Sequence, residues 1–121
     1  MRAIIDSDVL IDYLQGLDQA KSEIDRYSQH EISIISWMEI MIGADTAEEE
    51  EACRGFLARF TVHPVSLDVA TEAVKLRRKF RMRLPDAVVW ATARVHGSLL
   101  VRRNTKDFPS KEPGLRIPYS A

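Results

Sequence analysis

Apolar positions along this chain recur in two periods, and the switches between them mark its elements. Ala3-Ile4-Ile5 is a short apolar run that stops at Asp6; Val9, Leu10, Tyr13 and Leu14 then recur at helical spacing. The stretch reads as a strand turning straight into a helix, with Asp6 at the strand's carboxyl end and Asp8 able to serve as the helix N-cap. Gly16 and Asp18 mark a turn, and residues 19–29 read as a polar helix with Ala20, Ile24 and Tyr27 inward. Residues 31–35 carry the β-branched Ile32, Ile34 and Ile35 of a second strand. Ser36 then caps a helix over 37–44, with Glu39 placed for a Ser-x-x-Glu capping box.

The acids Glu48 to Glu51 suit the first turn of a helix, which Cys53, Phe56, Leu57 and Phe60 continue with one apolar face. Residues 61–65 make a third strand. Residues 67–83 form the longest helix, with Val69, Ala73, Leu76 and Phe80 on one stripe. After Leu84-Pro85-Asp86, residues 87–95 are nearly all apolar and predict a helix packed at the centre of a sheet face. Residues 98–101 and 115–118 supply the last strands. Strands and helices alternate throughout. The expected fold is a single α/β domain over residues 1–121, with a mostly parallel sheet of four or five strands flanked by helices.

Composition adds little to that picture, but charge changes it. Residues 1–74 carry 5 Lys and Arg against 15 Asp and Glu, whereas residues 75–121 carry 12 against 3, within a net charge of −1. Six of the nine residues from Lys75 to Arg83 are basic. Such polarity points to an anionic partner, and phosphate is the commonest. No apolar run approaches the length of about 20 residues that spans a bilayer. Met1 leads straight into a strand pattern with no charged-then-apolar leader, and the single cysteine, Cys53, has no partner within the chain. A reducing cytoplasm is the expected compartment.

Four acids occupy comparable positions: Asp6 after the first strand, Glu39 after the second, Asp86 at the start of the central helix and Asp107 after the fourth strand. The strands of a parallel sheet end at one edge, where ligands collect in such folds. Carboxylates gathered there need a cation to remain ionised together, and an all-oxygen donor set favours Mg²⁺ or Mn²⁺. His30, His63 and His96 have no metal-ligand spacing and read as surface residues. A magnesium-type cluster beside a basic surface suggests phosphodiester hydrolysis with water as the nucleophile.

Residues 5–12, Ser33 to Glu39 with Gly43, Leu84-Pro85-Asp86-Ala87 through Ala93, and Asn104-Thr105-Lys106-Asp107-Phe108 together resemble the PIN domain, specifically VapC-like toxins of type II toxin–antitoxin modules. The resemblance implies a metal-dependent endoribonuclease silenced by a cognate antitoxin, a homodimer that meets DNA only through that antitoxin and meets no membrane. It gives Asp6, Glu39, Asp86 and Asp107 catalytic metal-ligand roles and supporting roles to Ser7, Asp8, Asn104 and Thr105. Arg77, Arg78, Arg81, Arg102 and Arg103 are the candidates for the RNA backbone. The chain departs from the family pattern where Arg102 stands in the place of a usual Thr and Asn104 in the place of a frequent acid. Two other readings compete: a haloacid-dehalogenase-type phosphatase using Asp6 and Asp8, and a catalytically inactive PIN-fold binding module. Trp37, Met38 and Met41 suit a hydrophobic surface for a partner helix as well as they suit a core.

Overall fold

Strands as short as Ala3-Ile4-Ile5 hold together only when both faces of their sheet are covered, and this fold covers both. The computed structural model describes residues 2–106, 108–109 and 111–120. Its elements are β1 (Ala3–Ile5), α1 (Ser7–Leu14), α2 (Asp18–Asp25), β2 (Glu31–Ser33), α3 (Ile34–Ile42), α4 (Ala47–Leu57), β3 (Thr61–His63), α5 (Leu67–Phe80), α6 (Leu84–Val95), β4 (Leu99–Val101) and β5 (Leu115–Arg116). The five strands lie in the order β3-β2-β1-β4-β5, and every pairing is parallel. The chain steps from β1 outward to β2 and β3, then returns to the other side of β1 for β4 and β5. That reversal opens a crevice at the carboxyl ends of β1 and β4.

Side chains alternate across the sheet and fill two cores. Ala3, Ile5 and Val101 join Val9, Leu10, Ile24, Ile32 and Phe56 on one face. Ile4 and Leu100 join Val69, Leu76, Val89 and Trp90 on the other. Trp90 is buried in α6, with the Phe80 and Phe108 rings each 5.2 Å from its own.

Three helix starts differ from expectation. The α1 N-cap is Asp6, whose Oδ1 accepts from Ser7 N at 2.7 Å, and Asp8 lies inside the first turn. The second strand ends two residues early because Ser33 turns its hydroxyl to Ile35 N at 3.1 Å and starts α3 there. Ser36 therefore sits within the helix, buried, and the expected capping box with Glu39 does not form. Burial of Ile35 against the α6 core outweighs the reluctance of β-branched residues to be helical. Thr46 and Glu49 make such a box instead, with Glu49 N donating to Thr46 Oγ1 at 3.1 Å. Helix α5 stops at Phe80 because Arg81 adopts the left-handed conformation (φ 54°), and α6 begins at Leu84 with Pro85 in its first turn.

Two buried acids tie distant segments together. Glu23 in α2 receives Arg116 of β5 in a bidentate pair at 2.6 and 2.9 Å and the Tyr27 hydroxyl at 2.7 Å. Burial pushes the Glu23 carboxyl up, but those bonds and the charges of Arg116 and Arg26 outweigh it, leaving the group below its ordinary value. Glu31 in β2 receives Arg2 and His63, and its carboxyl is lowered chiefly by the Arg2 bonds. His63 and His96, expected on the surface, stack at 4.0 Å beside Glu31, with the His63 side chain 14% exposed.

A carboxyl lowered on folding contributes stability above its unfolded pKa and loses it as pH falls through the folded one. Arg116→Ala is thus expected to cost about 2 kcal/mol at pH 7, because the buried Glu23 loses its bidentate partner and keeps only the Tyr27 hydroxyl and the more distant Arg26. Below about pH 4 the gap from wild type closes as Glu23 protonates in both proteins. Urea denaturation at the two pH values checks this, and a gap independent of pH would contradict it.

Candidate active site

The crevice between β1 and β4 places two residues side by side. Asp6 follows β1, Arg102 follows β4, and the strands continue their pairing past the last ladder residue through Asp6 N donating to Val101 O at 2.9 Å. Asp6 is 5% exposed and Arg102 is 6% exposed. Arg102 Nη1 lies 3.1 Å from Asp6 Oδ2 and 3.4 Å from Asp86 Oδ1, so one guanidinium nitrogen bridges two carboxylates. Its Nε donates to Asn104 O at 2.8 Å, and its plane lies over the Phe108 ring at 4.2 Å. Asp86 reaches this point from the first turn of α6, the end whose dipole favours an acid.

Glu39 arrives from the second turn of α3. Its Oε1 accepts from Ser7 Oγ at 3.0 Å, which fixes it beside the start of α1. The side chain is exposed. Asp6, Glu39 and Asp86 thus stand at one edge, linked through Ser7 and Arg102. Burial pushes the Asp6 carboxyl up to about 7; the Arg102 charge pulls against that rise, and Asp8 and Glu39 add to it. Among the described residues, no three acid, imidazole or thiol side chains are arranged to hold an ion between them. Asp107 lies outside the described residues.

The loop after β4 is held from α1. Asp8 Oδ2 accepts from the backbone N–H of Arg103 at 3.0 Å and of Asn104 at 2.8 Å. One turn on, Asp12 receives Arg103 in a bidentate pair at 2.6 and 3.2 Å and the Tyr119 hydroxyl at 2.8 Å. The Arg103 guanidinium, expected at the RNA backbone, is bound to Asp12, with its side chain 28% exposed. Arg102 is likewise turned into the acids and not outward. The Asn104 side-chain oxygen accepts from Lys106 N at 2.9 Å and shapes the loop. Thr105 is exposed and bonds through its carbonyl to Phe108 N at 3.2 Å. Arg77, Arg78 and Arg81 are exposed along and just beyond α5. Sequence reasoning passed over Asp12; the i, i+4 pair Asp8 and Asp12 on α1 was the visible hint.

Residues 3–112 match the PIN domain family. The chain belongs to that family. Ribonuclease VapC10 of Mycobacterium tuberculosis is 33% identical over 125 residues, spanning 97% of this chain and 92% of that protein. Ribonuclease VapC1 of Rickettsia felis is 31% identical, spanning 89% of each. A toxin–antitoxin complex from Klebsiella pneumoniae contains a chain that superposes with a TM-score of 0.91 at 39% identity, over 98% of this chain and 99% of that one. A DNA-bound VapBC from Salmonella typhimurium shares the fold, with a TM-score of 0.78 at 20% identity over 96% of each chain. This PIN domain is VapC-like, as its four motifs suggested. Membership removes the phosphatase reading, and geometry agrees: Asp8, that reading's acid/base, points its carboxylate at the loop backbone.

Asp8→Ala removes a charged acceptor from one partly buried N–H, that of Arg103, and one exposed N–H, that of Asn104, and is expected to cost about 1–2 kcal/mol. Equilibrium unfolding in urea measures it. A change below about 0.5 kcal/mol, the range of an ordinary surface substitution, would show that α1 does not hold the loop.

Proposed function

We propose that this PIN domain is a ribonuclease toxin, cutting RNA with a Mg²⁺ or Mn²⁺ ion held by Asp6, Glu39 and Asp86, and restrained by an antitoxin protein. The observation that supports it most directly is the meeting of three acids from β1, α3 and α6 at one sheet edge, in a family whose curated relatives are named ribonucleases. The donor set fits such an ion: all oxygens are hard, and a buried carboxylate such as Asp6 requires a positive partner to ionise. When bound, the ion supplies Lewis-acid activation of a water nucleophile and neutralises charge at the scissile phosphate.

The chain's own groups do the positioning. Ser7 fixes Glu39 by its hydroxyl and Asp6 by its N–H. The exposed Arg77 and Arg78 lie on α5, which packs against α6, whose first turn carries Asp86, and Arg81 follows the end of α5; together they give RNA phosphates a basic surface to follow. On α3 and α4, Trp37, Met38, Met41 and Ile42 line a 370 Å³ groove with Glu50 and Arg54. Ile42 is 79% exposed there, and this apolar groove suits an antitoxin helix. Homodimer formation and a cytoplasmic setting belong to the same proposal. Among the described residues no helix is long and apolar enough to cross a membrane.

Purified protein is expected to cleave RNA with Mg²⁺ or Mn²⁺ and to stop in EDTA. An Asp86→Asn variant prepared identically should lose more than about 100-fold, beyond what loss of an outer partner of a metal site costs. Equal cutting by both proteins would assign the activity to a contaminant and favour the inactive-module reading. Replacing Arg77, Arg78 and Arg81 together by Gln should lower the salt-dependence slope of RNA binding by about 2, at about 0.7 per single-strand phosphate contact. An unchanged slope would place the RNA elsewhere.

A further inference from the structure

Every polar contact of the Arg102 side chain among the described residues is made to the acidic edge or its own loop. Nη1 bridges Asp6 at 3.1 Å and Asp86 at 3.4 Å. Nε donates to Asn104 O at 2.8 Å, and the guanidinium face covers Phe108 at 4.2 Å. The side chain is only 8% exposed. The loop that presents it is fastened twice to α1: Asp8 accepts the N–H groups of Arg103 and Asn104, and Asp12 holds the Arg103 guanidinium. A surface arginine that met two carboxylates by chance would not be braced on four sides. A cation shared by Asp6 and Asp86 would sit between them, and that is the space Arg102 Nη1 occupies.

We propose that Arg102 is a built-in counter-cation that plugs the acidic pocket, so that a divalent ion binds only by driving the guanidinium out from between Asp6 and Asp86. This rests on the metal-dependent reading above. The two cations compete for the same oxygens, so the apparent metal affinity is the intrinsic one reduced by the fraction of molecules in which Arg102 has swung away. The plug also gives the protein a metal-free resting form in which the buried Asp6 and the partly exposed Asp86 already face a positive charge, which an all-acid pocket lacks. Release of the guanidinium, not folding of the pocket, is then the step that metal binding drives.

Mn²⁺ binding to the full chain by titration calorimetry, for wild type, Arg102→Gln and Asp86→Asn, tests this. Arg102→Gln keeps an unbranched polar side chain, shorter than that of arginine, and removes the charge. It is expected to bind Mn²⁺ at least tenfold more tightly than wild type, whereas Asp86→Asn binds more weakly. Because the Gln variant leaves Asp6 unpaired and can fail to fold, wild type labelled with ¹⁵N-arginine provides a second readout. The Arg102 Nε–H signal, assigned by its loss in Arg102→Lys, should shift and exchange faster with water as Mg²⁺ is added. Equal Mn²⁺ affinity of wild type and Arg102→Gln, or an Nε–H signal indifferent to bound Mg²⁺, overturns the plug and leaves the metal reading standing. No Mn²⁺ binding by wild type or by Arg102→Gln overturns the metal reading itself, and the plug with it.

Discussion

Burying Asp6 and aiming Asp86 at it concentrates negative charge where water screens poorly, and such an arrangement persists only with a cation among the carboxylates. The Arg102 guanidinium is that cation here, 3.1 Å from one acid and 3.4 Å from the other. Its position is a consequence of strand order. Because β4 is the neighbour of β1 in a parallel sheet, the residue after β4 emerges beside the residue after β1. The same edge is braced from two further sides: α6, packed through its buried face, brings Asp86 to it, and Asp8 and Asp12 hold the loop after β4 onto α1.

The same contact recasts the charge asymmetry of the chain. An acidic first part and a basic second part suggest a large surface waiting for an anion, but many of those charges meet each other in the fold. Arg102 pairs with Asp6, Arg103 with Asp12, Arg116 with Glu23 and Arg94 with Glu72. Each joins a late arginine to an early acid, and several are partly buried, so they act as long-range ties between segments far apart in sequence. Among the described residues, the exposed run around Arg77, Arg78 and Arg81 enters no ion pair and is free to meet phosphate. It lies along and just beyond α5, which packs against the helix bearing Asp86.

Local patterns made most of the fold legible. The apolar run before Asp6, the stripe of α5 and the nearly continuous apolar stretch of α6 each set an element, because period and burial agree there. Strand and helix boundaries were less legible where two hydroxyls compete for one cap: Ser33 and Ser36 both precede apolar turns, and only packing of Ile35 against α6 selects Ser33. At the site, Asp6 and Asp86 were visible because a strand end and a helix start fix where they point. Asp8, Asp12 and Arg103 were not. Their roles arise from contacts between residues more than 90 positions apart, which no local period records. Arg102 was visible as a departure from the family pattern, but its direction, into the acids, required the register of β1 and β4.

The most direct test is the anomalous scattering of Mn²⁺ in crystals of the protein grown with and without the ion. The account predicts one strong peak bounded by the carboxylates of Asp6, Glu39 and Asp86, with the Arg102 guanidinium moved out from between Asp6 and Asp86, and the bridged arrangement in the metal-free crystal. A peak elsewhere, or Arg102 still bridging both acids at a saturating Mn²⁺ concentration, would contradict it.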